Sequence, residues 1–252
     1  MLERLQRHPF AVEAFFRRSL VLTYAMPSGA LQGLIGPGLE LDTYEGFGFL
    51  AIALVQTQHL RPRGLPTWLG RSFFLSGYRI FTRFIRPGRA LLRGLRILRS
   101  DTDRRAMKLL GNLFTRYGYH HARVEQGLSA DGGTFTVRIR TRAREADLDV
   151  EADLARRPAP LPEGSPFRSI EEARQFAGPL PFTFGYDAAE KKMVVVKGVR
   201  TTWDPEPVHV RVREATFLDR PPFAEARPRL ANAFYLENVP YWWMPGTLEE
   251  LP

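Results

Sequence analysis

Phe135, Val137 and Ile139 alternate with Thr136, Arg138 and Arg140, and Val208, Val210 and Val212 alternate with His209, Arg211 and Arg213. A period of two puts one set on each face of a β-strand, apolar side inward and cationic side outward. Asp131-Gly132-Gly133, just before the first alternation, supplies the positive φ of a tight hairpin turn. Leu39 to Asp42 and Phe47 to Gln58 flank Thr43-Tyr44-Glu45-Gly46 and read as a hairpin whose second strand is buried on both faces. Ser72 to Ile85, Tyr119 to Glu125, Leu148 to Leu154, Phe182 to Tyr186, Met193 to Trp203 and Val208 to Phe217 read as further strands.

Helical signals are fewer. Glu13 to Tyr24 starts helix-like and turns β-branched and aromatic. Pro27-Ser28 offers a helix start for Gly29 to Ile35, and Arg89 to Leu98 fits an amphipathic helix or a short helix leading into a strand from Gly94. Ser100 to Asp103 reads as a helix N-terminus, with Ala106, Leu109, Leu110, Leu113, Phe114 and Tyr117 as the apolar face and Lys108 on the polar one. Ser169-Ile170-Glu171-Glu172 is a capping box. The fold class expected is α+β: mostly antiparallel β, with a curled or closed sheet and a few helices. The 252 residues are long enough for a full core, so one domain over 1–252 is expected. The proline-rich stretch 156–166 would be a loop or a lobe boundary.

There is no cysteine, which removes disulfides, thiolate metal sites and a thiol nucleophile. The net charge is +9, and all but four of the 36 basic residues are arginine, the lysines being Lys108, Lys191, Lys192 and Lys197. Arginines forking onto an anionic partner are one reading; arginines spread over solvated faces are the other and the preferred one. The ladder Arg138, Arg140, Arg142 could track phosphates or pair with the acids Glu145 to Glu151, and pairing is preferred. No P-loop, dinucleotide fingerprint or Gly-x-Ser-x-Gly elbow occurs. His8, His59, His120, His121 and His209 are the histidines, and adjacent positions on a strand face opposite ways, so no metal site is expected. One of His120 and His121 is expected to face inward. No apolar leader and no membrane-length apolar run are seen, so a cytoplasmic protein is expected.

The order of motifs resembles a bacterial family of unknown function in the acetoacetate decarboxylase-like superfamily. An early helix is followed by Gly-Pro-Gly-Leu-Glu-Leu-Asp (36–42), Glu45-Gly46, a buried strand and Arg61-Pro62-Arg63-Gly64. Then come an aromatic strand with Tyr78-Arg79 and a helix leading into Tyr119-His120-His121-Ala122. The resemblance implies a cone-shaped or closed antiparallel β-barrel around an apolar pocket, with a flanking sheet. In the decarboxylase a lysine forms a Schiff base with a β-keto acid, its pKa lowered by a second lysine, within Gly-x-Pro-Lys-Lys. The matching stretch here is Gly118-Tyr119-His120-His121-Ala122, with neither lysine, and a glutamate expected near Ser76 to Arg79 is missing too.

Imidazole cannot form the iminium electron sink, so what the resemblance carries over is a pocket. Arg79, Tyr119, His120 and His121 are its candidate ligand-binding residues, and none is singled out as catalytic. The leading expectation is a protein without cofactor or metal that binds a small organic acid or apolar-tailed anion, with Arg79 on the carboxylate. The rivals are a lyase, hydratase or isomerase with a histidine base, and a binder of nucleic acid or an anionic surface through arginine faces. Nucleic acid is the less favoured partner, and homo-oligomerisation is left open.

Overall fold

A computed structural model describes residues 2–178 and 180–252. The strands, in chain order, are β1 (Val12–Pro27), β2 (Leu39–Leu41), β3 (Phe47–Pro62), β4 (Arg71–Phe84), β5 (Leu92–Thr102), β6 (Tyr119–His121), β7 (Arg123–Leu128), β8 (Thr134–Arg140), β9 (Leu148–Asp153), β10 (Phe182–Asp187), β11 (Lys192–Arg200), β12 (Glu206–Pro207), β13 (His209–Ala215), β14 (Arg229–Trp243) and β15 (Thr247–Glu249). The helices are α1 (Leu2–Leu5), α2 (Gly29–Gln32), α3 (Arg105–Phe114), α4 (Ile170–Ala177) and α5 (Phe223–Ala226).

β14, β1, β3, β4, β5, β10 and β11 pair in that order, and β11 pairs again with β14 through Gly198↔Trp243 and Arg200↔Tyr241. The hydrogen-bonded path therefore returns to its start, and the sheet encloses an interior. Every pairing on the ring is antiparallel except β5 with β10. A second, antiparallel sheet, β13-β9-β8-β7, lies outside. Its apolar face (Val137, Ile139, Val150) packs on the outward face of the ring (Leu20, Leu22, Leu50, Ile52, Tyr78, Ile80), and this is the largest core cluster.

β1 and β3 are buried on both faces because one face meets this outer sheet and the other lines the enclosed interior. That explains why β1 was not legible as a strand from Glu13 onward: with both sides apolar, alternation disappears. β2 corrects a second expectation. It pairs with β4 through Leu39↔Phe84, not with β3, since β3 stops pairing at Leu50↔Ile80 and leaves the last residues of β4 with a free edge. Arg89 to Leu98 is not helical; β5 runs from Leu92 to Thr102, and Ser100 to Thr102, read as a helix start, are its last residues.

Helix α3 also turns a different face inward. Gly111 is its buried residue and Met107 is partly buried, whereas Leu109 is 71% exposed. Gly111 is inward because the Tyr119 ring rests on it, where a Cβ would collide. The segment 156–166 is tied to the main body through Ala159 N donating to the Pro207 carbonyl and Ser165 Oγ to the Ala231 carbonyl. No helix among the described residues is long and apolar enough to cross a membrane.

Candidate functional site

Inward positions of the ring alternate along each strand, and several that face its middle are small: Ser19 on β1, Ala51 and Ala53 on β3, Gly77 on β4 and Gly198 on β11. A bulge between Phe16 and Arg18 lets Phe16 and Ser19 both face inward although they are three residues apart. Toward one end, Phe49, Phe81, Phe167 and Phe176 stack into an aromatic plug, with ring centroids 4.9–6.2 Å apart. Beyond the plug the small residues leave a cavity of about 130 Å³.

Arg79 of β4 and Arg200 of β11 both line this cavity, with Tyr117, Tyr119, Tyr241 and Trp203. Neither guanidinium has a carboxylate partner, and no acidic side chain among the described residues lines the cavity. Arg79 lies back along β4 over Gly77. Its Nε is 2.9 Å from where a Cβ at Gly77 would sit, so glycine there makes the room. Arg200 stacks on Trp203, 4.2 Å from the ring centroid. The Tyr241 ring crosses Gly198, where a Cβ would overlap its hydroxyl.

Four residues of the lining each carry a buried polar atom without a partner: Ser19 Oγ, Arg79 Nε, Arg200 Nη2 and Trp203 Nε1. A buried polar group left unpartnered costs about 1–3 kcal/mol, more when charged, so such groups ask for a ligand or water. Burial pulls Arg79 below the usual arginine range, and burial together with the like charge of Arg79 does the same to Arg200. Arginine nonetheless stays protonated. Burial raises the phenols: Tyr117 to about 12, with Tyr119 and Tyr241 also pushed up. At neutral pH the cavity wall therefore holds two cations and neutral hydroxyls.

Of the residues singled out in the sequence, the structure brings Arg79 and Tyr119 together on the cavity wall. His120 and His121 are both exposed and do not line it, against the expectation that one would face inward. The reason is local. β6 is a three-residue strand paired only to the end of β5; α3 covers it at Tyr119, through Gly111 and Asn112, and leaves the His120 and His121 side chains in solvent. His120 is aligned with Asp101, on the side where Arg99 pairs with Asp101 and Glu145, each at 2.8 Å. Arg200, Trp203, Tyr117, Tyr241 and Ser19 carried no local motif. The signal that could have found Arg200 is the parity of β11, in which Val194, Val196, Gly198 and Arg200 share one face. No lysine lines the cavity; Lys108, Lys191 and Lys197 are exposed and Lys192 is paired with Glu250. No group of three or more His, Cys, Asp or Glu among the described residues could hold a metal ion.

Residues 13–240 match the DUF2071 family, described as an uncharacterized conserved protein. The chain belongs to that family. Among proteins of curated function no sequence matches this DUF2071 member. Solved structures with the same fold include acetoacetate decarboxylase from Legionella pneumophila, with a TM-score of 0.62 at 11% identity, covering 95% of this chain and 87% of that one. An acetoacetate decarboxylase-like enzyme from Sphingomonas wittichii is similar at TM-score 0.65 and 12% identity, covering 96% and 94%. The enduracididine biosynthesis enzyme MppR, solved with pyruvate, is similar at 0.61 and 12%, covering 95% and 90%. At these identities the likeness fixes the fold: this DUF2071 chain is an acetoacetate decarboxylase-like protein in architecture.

Proposed function

We propose that this protein binds a small organic anion inside the ring, with Arg79 and Arg200 as its charged contacts and Ser19 and Trp203 as further donors. The observation that carries the reading is the pair of unpartnered guanidinia facing one cavity without an acidic side chain on its wall. Charge-assisted hydrogen bonds to an anion would satisfy them, and a low-dielectric wall makes each such bond stronger. The apolar part of the cavity (Val55, Leu75, Ile97) suits a short carbon skeleton. A cavity of about 150 Å³ holds a benzene-sized molecule, so about 130 Å³ suits a compact ligand of no more than about that size. That MppR was solved with pyruvate, a small carboxylate, in the same fold agrees with this size and charge.

A Schiff-base route needs a primary amine at the cavity, and none of the lysines lines it. A histidine-base route through His120 or His121 has no support from their exposed positions. The proposal is therefore one of binding. Isothermal titration of the purified chain with a panel of two- to six-carbon organic acids tests it. At least one acid is expected to bind, and Arg79→Gln is expected to weaken it at least ten-fold. Equal binding by the variant, or no binding by any acid, would overturn the reading.

A further inference from the structure

Arg79 and Arg200 stand on strands that are far apart around the ring. From β4 to β11 there are three steps by way of β5 and β10, and four by way of β3, β1 and β14. Neither side chain reaches across. Arg79 is folded back onto Gly77 of its own strand, and Arg200 is stacked on Trp203, which follows its own strand. Each guanidinium thus rests against its own strand on the wall of the one cavity, and each keeps an unpartnered N–H. One carboxylate forks onto one guanidinium. A monoanion lodged on Arg79 would leave the Arg200 donor orphaned, and the reverse holds as well. Tyr117, Tyr119 and Tyr241 cannot supply the missing charge, because burial keeps them neutral.

From this arrangement we infer that the ligand is a dianion with an acidic group at each end of a short carbon chain, a dicarboxylate of three or four carbons, gripped by Arg79 at one end and Arg200 at the other. The inference rests on the proposed anion site and specifies its ligand class. Trp203 Nε1, next to Arg200, adds a donor to that end. Two cations facing one low-dielectric space also explain selectivity: an uncharged analogue would leave both uncompensated.

The test is titration calorimetry on the intact chain with malonate, succinate and glutarate, and with butyrate and succinamide as singly charged and uncharged counterparts of succinate. The best dicarboxylate is expected to bind at least ten-fold more tightly than butyrate, and succinamide not measurably. In Arg200→Gln the preference for dicarboxylate over butyrate is expected to fall to within about two-fold, with butyrate affinity nearly unchanged. Arg200→Gln and Arg79→Gln should both fold, since an unpartnered cation is being removed, and their thermal midpoints without ligand should be no lower than that of the natural chain. Equal affinity for butyrate and every dicarboxylate would overturn the dianion and leave the anion site standing. No binding by any of the five, nor by the wider acid panel, would overturn both.

Discussion

Arginines occupy two regions of this molecule under opposite conditions. On the outer sheet they meet acids. Arg138 Nε lies 2.9 Å from Asp149, Arg213 reaches Asp149 at 3.2 Å and Glu151 at 2.5 Å, and Arg140 and Arg144 share Glu214. Burial alone would raise Asp149, but hydrogen bonds from Arg138 and Arg213 outweigh it and hold that carboxyl below the usual range. Inside the ring Arg79 and Arg200 meet no acid at all. The difference teaches that a surplus of arginine in a sequence says little about function. Where the chain has placed carboxylates opposite them, arginines are a solvated, neutralised surface. Where it has excluded carboxylates from the wall of the ring, the cations stay uncompensated, and that is what the proposed anion site rests on.

The contrast can be broken most directly at the cavity. Arg79→Gln or Arg200→Gln is expected to cost on the order of 2–5 kcal/mol of dicarboxylate binding, roughly 30-fold or more, whereas Arg138→Gln leaves affinity within two-fold by the same titration. Without ligand the signs differ. Arg79→Met should raise stability by about 1–3 kcal/mol in urea denaturation, because it removes an uncompensated buried charge. Gly198→Ala should lower stability by about 1–3 kcal/mol and weaken binding, since the added methyl displaces Tyr241. A Gly198→Ala variant equal to the natural chain would mean that the Tyr241 position is not constrained as described.

His8 sharpens the comparison, because it is a buried base that can shed its proton where arginine cannot. It is buried, its Nδ1 is unpartnered, and burial lowers its pKa to about 4. The folded value lies below the 6.5 of the unfolded chain, so the unfolded chain takes up a proton first as pH falls. The stability associated with neutral His8 is complete above pH 6.5 and is lost as pH drops toward 4, by on the order of 3 kcal/mol. His8→Asn, which tolerates the positive φ of this position, should flatten that part of the stability–pH curve. The smallest effects belong to the exposed groups: Arg138→Ala should shift stability by about 0–1 kcal/mol, and His120→Ala or His121→Ala by within about 0.5 kcal/mol with unchanged anion binding.

Legibility followed the same division. The strands of the outer sheet have one face in water, so β8 and β13 show clean alternation and could be read residue by residue. The ring strands are covered on both sides. β1 therefore looked like a helix start, and β5 could not be told from one. Arg79 and Tyr119 were found through the resemblance in motif order, which places them on the aromatic strand and after the helix. Arg200 carries no local motif because it shares a cavity wall with a residue 121 positions away, Arg79, and does so only once β11 closes on β14. His120 and His121 stand out as a rare pair, but what decides exposure is which residues of β6 the helix α3 covers, Tyr119 and not the imidazoles, and that is a tertiary fact.

The most direct test of the central claim is a crystal structure of the protein soaked with the dicarboxylate that binds best. The expected result is density within the ring for one molecule, its two carboxylates within hydrogen-bond distance of the Arg79 and Arg200 guanidinia. An empty interior at saturating concentration, with both arginines paired to acids of the chain itself, would contradict it.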